Sequence, residues 1–270
     1  MKFKFFLFFG ILVLITSCGE VKKEIVPKYS FEVGKELSYK LKGKADLNVD
    51  MGLFFYNSQV AFSTVAVFNP VETNEFGYRM QMNLKDITVE GVSNQLQTAL
   101  FVGINGLRRV LSEFDIDEFG TTRVMVNGAY VDYLSYILEI FFVNLKDIQN
   151  KKTFSTNVAG WLDKNTPIVS KYETERFIKE RSGSIIVIYQ KGNLITYSKE
   201  EFEKSVEPKS LGVAKYELFN RFDVVKGKLV DKTATFDINY EIPVKQGFIT
   251  TFIKVKCKGE LKLVSSEVEI

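Results

Sequence analysis

Histidine is absent from all 270 residues, and that absence decides most of what the chain can do chemically. Ser-His-Asp and Cys-His nucleophiles and His-ligated zinc sites are excluded. The commonest general base goes with them. What remains is carboxylates, lysines, tyrosines and two cysteines, Cys18 and Cys257. Asp115, Asp117, Asp223 and Asp231 fall near expected turns, where acids are usually solvated. A carboxylate-pair hydrolase needs two such groups facing each other, and no spacing here brings a pair together. Asp115-Ile116-Asp117-Glu118-Phe119-Gly120 opens like a calcium loop. It has Phe119 at a ligand position and Val126 where the bidentate Glu belongs, so it reads as an acidic hairpin turn. Cys257 alternates onto an apolar strand face, where a thiol is inert. The expectation is a non-enzyme with no cofactor, no metal and no catalytic residue.

The other cysteine stands in a different context. Lys2 and Lys4 make a positive head, Phe5–Ile15 is an apolar run, and Thr16-Ser17-Cys18-Gly19 follows. The run is too short for a spanning helix, which needs about 20 residues, but suits a signal-peptide core. Ile15-Thr16-Ser17-Cys18 resembles the lipobox of bacterial lipoproteins. The resemblance implies lipidation of Cys18 through a thioether, removal of residues 1–17 and acylation (palmitate or a similar chain) of the new amino terminus. Several acyl chains together hold a protein firmly, each buried methylene contributing about 0.8 kcal/mol. Cys18 is therefore the expected lipid anchor, and the expected location is the bacterial cell envelope, at the outer membrane.

Lys2 and Lys4 leave with the signal, so 34 basic groups face 33 acidic ones, a net of +1. A near-neutral body lacks the field of a nucleic-acid binder. With Cys18 lipidated, Cys257 has no intramolecular disulfide partner. The fold must rest on burial, for which 46% apolar residues and 24 phenylalanines are ample.

The elements that position these groups are mostly strands. Leu37, Tyr39, Leu41, Ala45, Leu47 and Val49 alternate with polar residues over a long half-buried strand that bends at Gly43. This strand opens with Val33-Gly34-Lys35-Glu36-Leu37-Ser38-Tyr39-Lys40, which is distantly similar to the first strand of lipid-carrying β-sheet proteins. Gln59–Phe68 reads as a more central strand. A parity slip between Leu84 and Ile87 predicts a β-bulge near Lys85-Asp86. The spacing of Leu96, Leu100, Ile104, Leu107 and Leu111 predicts a helix over Asn94–Ser112. A broader apolar stripe predicts a second over Tyr130–Ile148, either core or pocket lining. Trp161 is expected in a loop. Strands follow at Ile168–Glu180, Ser184–Gln190 and Leu194–Ser198, the last two joined across Lys191-Gly192-Asn193. A helix capped by Ser198 precedes Pro208. Long strands over Val213–Val225, Lys228–Ile242 and Phe248–Val264 complete the chain. The last carries a basic row, Lys254, Lys256, Lys258 and Lys262, expected to be a solvated face that protects a sheet edge.

The expected architecture is α+β: one large curved antiparallel sheet packed on one or two long helices. Residues 1–17 are the signal, 18–29 a tether and 30–270 one β-rich domain. The expected role is non-catalytic binding or scaffolding. The partners are the membrane, through the lipidated terminus, and an apolar ligand or an envelope protein; carriage of a lipid or other apolar ligand is the alternative function.

Overall fold

The computed structural model describes residues 26–52, 55–93, 105, 108–109, 111–126, 129–130, 135, 138–146, 148, 152–163, 166–246 and 249–266. The lipobox and Cys18 lie outside them.

The strands are β1 (Leu37–Asp50), β2 (Phe55–Thr73), β3 (Tyr78–Glu90), β4 (Glu113–Ile116), β5 (Thr122–Arg123), β6 (Met125–Val126), β7 (Ala129–Tyr130), β8 (Lys152–Asp163), β9 (Thr166–Ser182), β10 (Ile185–Ser198), β11 (Gly212–Asp223), β12 (Lys228–Gln246) and β13 (Ile249–Ser265), with a helix α1 (Lys199–Lys204) between β10 and β11. Eleven strands form one sheet in the order β5-β4-β3-β2-β1-β13-β12-β11-β10-β9-β8, and β6 pairs with β7 separately. The chain is two series of hairpins. They are sewn together where β1 meets β13, antiparallel from Tyr39 opposite Ser265 to Asp50 opposite Lys254.

The alternation of β1 sorts the sheet into two faces. Leu37, Tyr39, Leu41 and Ala45 are buried while Lys40, Lys42, Lys44 and Asp46 are turned the other way. Side chains opposite one another in antiparallel strands share a face. The inner row through Leu41 therefore runs Leu263, Lys232, Asn220 and Ile188 into the second hairpin series. Four inner-face glycines sit opposite an aromatic on the next strand: Gly43 with Phe62, Gly192 with Tyr216, Gly212 with Tyr240 and Gly259 with Phe236. A Cβ at Gly43 would lie 2.4 Å from the Phe62 ring, and one at Gly259 2.7 Å from Phe236. Each ring lies over backbone that only glycine leaves uncovered.

The α+β expectation is overturned. Strand takes 68% of the structure and helix 6%, with no helix of seven residues or more among the described residues. Of the stretch Asn94–Ser112 only Asn105, Arg108 and Arg109 are helical, Leu111 and Ser112 are in a turn, and the rest lies outside the described residues. In Tyr130–Ile148, Tyr130 belongs to β7, Ser135 and Leu138 are helical, and Glu139–Phe141 turn; Phe142–Leu145 take no regular structure, and the remainder is described only at Lys146 and Ile148. The reason lies in where backbone groups find partners. The carbonyls of Glu139 and Phe142 accept from Lys232 and that of Asn144 from Arg176, while Val143 and Leu145 donate to Tyr29 and Phe119. One helical turn persists, with the Phe141 and Phe142 amides donating to the Leu138 carbonyl; beyond it the segment finds partners for its backbone in the arm, a neighbouring turn and sheet side chains, and does not continue as helix. Its apolar residues recur closely because it is packed on several sides.

Other expectations also shift. Trp161 lies in β8, and Lys191-Gly192-Asn193 lies inside an unbroken β10. β13 sits between β1 and β12, so its lysines protect no edge. Lys254 stands opposite Asp50 and Glu241, and Lys258 opposite Asp46 and Asp237. The bulge is where parity placed it, with Ser63 opposite Thr88, Val65 opposite Lys85 and Asp86 at φ 53°. Ser198 caps α1, accepting from the Glu201 amide at 3.2 Å.

Candidate apolar binding groove

The inner face has two halves. The first is covered by an arm, Val26–Glu36, and by a strap, the described residues of Leu138–Ile148. Tyr29 stacks on Phe31 at 5.4 Å and meets Phe222 at 5.0 Å. From the strap, Phe142 and Phe141 pack on Phe68 at 4.9 and 5.3 Å. Leu138, Phe142, Val143 and Leu145 are all at most 1% exposed. Pro27 and Tyr29 are already buried, so the arm's packing begins within residues 18–29.

Buried polar side chains fasten the strap. Lys232, 1% exposed, donates to the carbonyl oxygens of Glu139 and Phe142. Arg176, 5% exposed, reaches the Asn144 carbonyl. The Glu139 carboxylate accepts from Tyr172 Oη at 2.9 Å and Gln190 Nε2 at 3.2 Å. Burial pushes the Lys232 ammonium down to about 7, against the nearby Glu139 charge that holds it up. Burial, and then the Glu139 charge, raise the Tyr172 phenol well above its usual value. These groups bind strap carbonyls and the Glu139 carboxylate, so they act as fasteners.

Beyond the strap no described residue covers the same face. A cavity of about 430 Å³ is lined mostly by apolar side chains of β8 to β13, Leu194, Ala214, Leu218 and Ile238 among them, together with the polar Ser170, Tyr172, Tyr216, Lys232 and Thr235, and has Ile140 and Glu139 of the strap as one wall. Its volume is in the range of about 300–1,000 Å³ typical of small-molecule sites, which are likewise mostly apolar. The register carries its floor from Lys232 under the strap to Ile238, opposite Ala214, and on to Tyr240, opposite Gly212. Phe141 belongs to the packed half and its neighbour Ile140 to the groove, so the strap is both core and lining.

The outer face carries a larger depression, about 780 Å³, lined largely by charged and polar side chains. Its charges are compensated across strands, Lys44 with Glu260 at 3.0 Å and Lys191 with Glu175 at 3.2 Å. Three of the four acids singled out by sequence serve local structure. Asp117 accepts from the Phe119 and Thr121 amides, Asp223 from the Val225 and Lys226 amides, and Asp231 pairs with Arg221. Asp115 accepts from Asn74 Nδ2 at 2.8 Å and pairs with Arg79. Cys257 is half-buried on the inner face, opposite Leu47 and Ile238, and burial raises its thiol pKa. The groove itself was missed in sequence. Its signal was the set of in-strand glycines facing aromatics.

No family model and no curated protein matches the chain. Among solved structures it is similar to lipovitellin, in work on lipid–protein interactions of that protein, with TM-score 0.45 and 10% identity over 88% of this chain. The chain spans 25% of the lipovitellin chain.

Proposed function

We propose that this protein is a non-catalytic carrier of a lipid or similar acyl-bearing ligand, held at the bacterial envelope through a lipidated Cys18. The observation that supports it is the apolar groove beside a fully packed half-face. The groove walls are half-buried aliphatic and aromatic side chains that no described segment covers, and exposing such a patch to water is unfavourable unless something occupies it. Of the polar groups in the lining, Lys232, Glu139 and Tyr172 hold the strap and Ser170 bonds Thr196; the rest of the lining is mostly apolar, which makes an acyl tail the matching chemistry. The envelope location rests on the lipobox resemblance, and the apolar ligand takes the place of an unspecified envelope partner.

Native mass spectrometry of protein purified from membranes tests both parts. The expected result is a covalent mass for residues 18–270 plus acyl chains on Cys18, with a further lipid released on activation. An unmodified Cys18 sinks the anchor. A mass that never carries a small apolar molecule, even after incubation with fatty acid, sinks the carrier.

A further inference from the structure

We infer that β8, the strand at one edge of the eleven-stranded sheet, pairs antiparallel with β8 of a second copy of this chain. The two edges of the sheet differ. At one of them β5 is two residues long and carries Arg123. At the other, β8 runs for twelve residues, holds no proline and carries charge only at its ends, Lys152 and Asp163. Shortness, charge and proline are the means by which edge strands are kept from pairing, and β8 uses none of them between its ends. Thr153, Ser155, Thr156, Asn157 and Ala159 are all exposed, so this stretch is accessible to a partner.

The glycines of the sheet select the partner and the register. Gly43, Gly192, Gly212 and Gly259 each stand opposite an aromatic residue of an adjacent strand on the inner face. Gly160 is the fifth glycine within a described strand, and its neighbour on β9 is Ile168. An aromatic for Gly160 can come only from the other side of β8. A two-fold axis through Asn157, normal to the sheet, supplies one. Gly160 then stands opposite Phe154 of the second copy, and Phe154 opposite that copy's Gly160. Phe154 is on the inner face, opposite Thr174, and is half-buried. The strand is complementary to itself in this register, as an isologous contact requires. Pairing along its length forms about ten backbone hydrogen bonds, as many as an ordinary protein interface carries. It also keeps both inner faces on one side of a continuous sheet. Val158, which lines the groove, stands opposite Thr156 of the second copy, so the two grooves adjoin across the axis. The pairing does not rest on the carrier reading.

The test uses the chain from residue 18 with Ser in place of Cys18; every buried apolar core residue among those described falls between Tyr29 and Leu263. Sedimentation velocity over a concentration series should show a reversible monomer–dimer equilibrium. Asn157→Glu sets the new carboxylate opposite Lys171 of β9 within one copy, but opposite its own counterpart across the axis. The dimer dissociation constant should rise by about tenfold or more, because like charges juxtaposed at an interface are costly. Asn157→Cys should form a disulfide-linked dimer under mild oxidation, since directly opposed residues bring their Cβ atoms within about 5.5 Å. Thr153→Cys, opposite Trp161 of the second copy in this register, should not. A monomer at every concentration overturns the pairing. So does an unchanged dissociation constant in Asn157→Glu, or cross-linking of Asn157→Cys no faster than that of Thr153→Cys.

Discussion

The two halves of the inner face carry similar side chains and end in opposite states. Tyr39, Leu41, Phe68, Ile188 and Phe222 are buried at 8% exposure or less, while Leu194, Ala214, Leu218 and Ile238, on the same alternating pattern, stay half-buried. The difference is the cover. The arm and the strap lie on the first half, fixed there by Lys232, Arg176 and the Tyr29 hydroxyl acting on strap backbone groups. Ile140 of the strap, 36% exposed, stands on the rim of the groove. An apolar strand face thus specifies burial without specifying by what; in this molecule one half is closed by the arm and the strap, and no described residue covers the other.

The largest effect should separate the halves by stability. Phe142→Ala removes a ring that touches Tyr29, Phe31, Phe68 and Phe114 and should cost about 3–5 kcal/mol. Leu194→Ala, in a site that already has open volume, should cost well under the ~2–5 kcal/mol usual for a packed leucine. Chemical denaturation of ligand-free protein reads both. Equal losses would mean that the groove collapses into core when empty.

The second contrast is in pH. The Lys232 ammonium is held down to about 7 in the fold, from 10.5. Above pH 7 the unfolded chain binds a proton that the folded chain does not, so stability rises with pH from about 7 toward 10, by up to ~1.4 kcal/mol per unit. Above that range the raised phenols of Tyr29 and Tyr172 reverse the slope, because the unfolded tyrosines ionise first. Lys232→Met should flatten the rise between pH 7 and 10. A rise that persists in the variant would place its origin elsewhere than the strap fastening.

Strand positions, the bulge at Asp86 and the Ser198 cap were legible because each depends on a few neighbouring residues. The strap was not. Its spacing of Leu138, Phe141, Phe142 and Leu145 satisfies a helical template, and only the distant Lys232 and Arg176, 93 and 32 residues from the carbonyls they bind, pull the backbone out of helix. Gly192 read as a turn for a similar reason. Its requirement comes from both neighbouring strands, because an added Cβ would run into the Glu173 carbonyl oxygen of β9 and the Tyr216 ring of β11. The groove was hidden because apolar alternation reads alike whether a strap or a ligand covers it.

A third substitution fills the open half. Ala214 lies between Leu194 and Ile238 on the groove floor. Ala214→Trp should lower fatty-acid affinity by about tenfold or more, roughly 1.4 kcal/mol, with a denaturation midpoint near that of the parent. The same substitution in the packed half would force strain of about 1–3 kcal/mol or more. Unaltered ligand binding by Ala214→Trp would move the ligand site off this floor.

The smallest effect concerns Cys257, opposite Ile238 on the groove floor and Leu47 on β1. Burial, and then the Asp46 charge, raise its thiol pKa, so less thiolate is present near neutrality than at a free cysteine. Alkylation of native protein at pH 8 should be slower than after denaturation by about tenfold, since the thiolate is the reacting species. Because the thiol is half-buried, a saturating fatty acid seated along Ile238 should slow it further, by an amount smaller than the effect of folding itself. Equal rates with and without fatty acid would confine the ligand to the β8–β11 side of the floor. Acceleration by fatty acid would show that binding opens the β12–β13 pairing, and the groove would then be formed by its ligand instead of waiting for it.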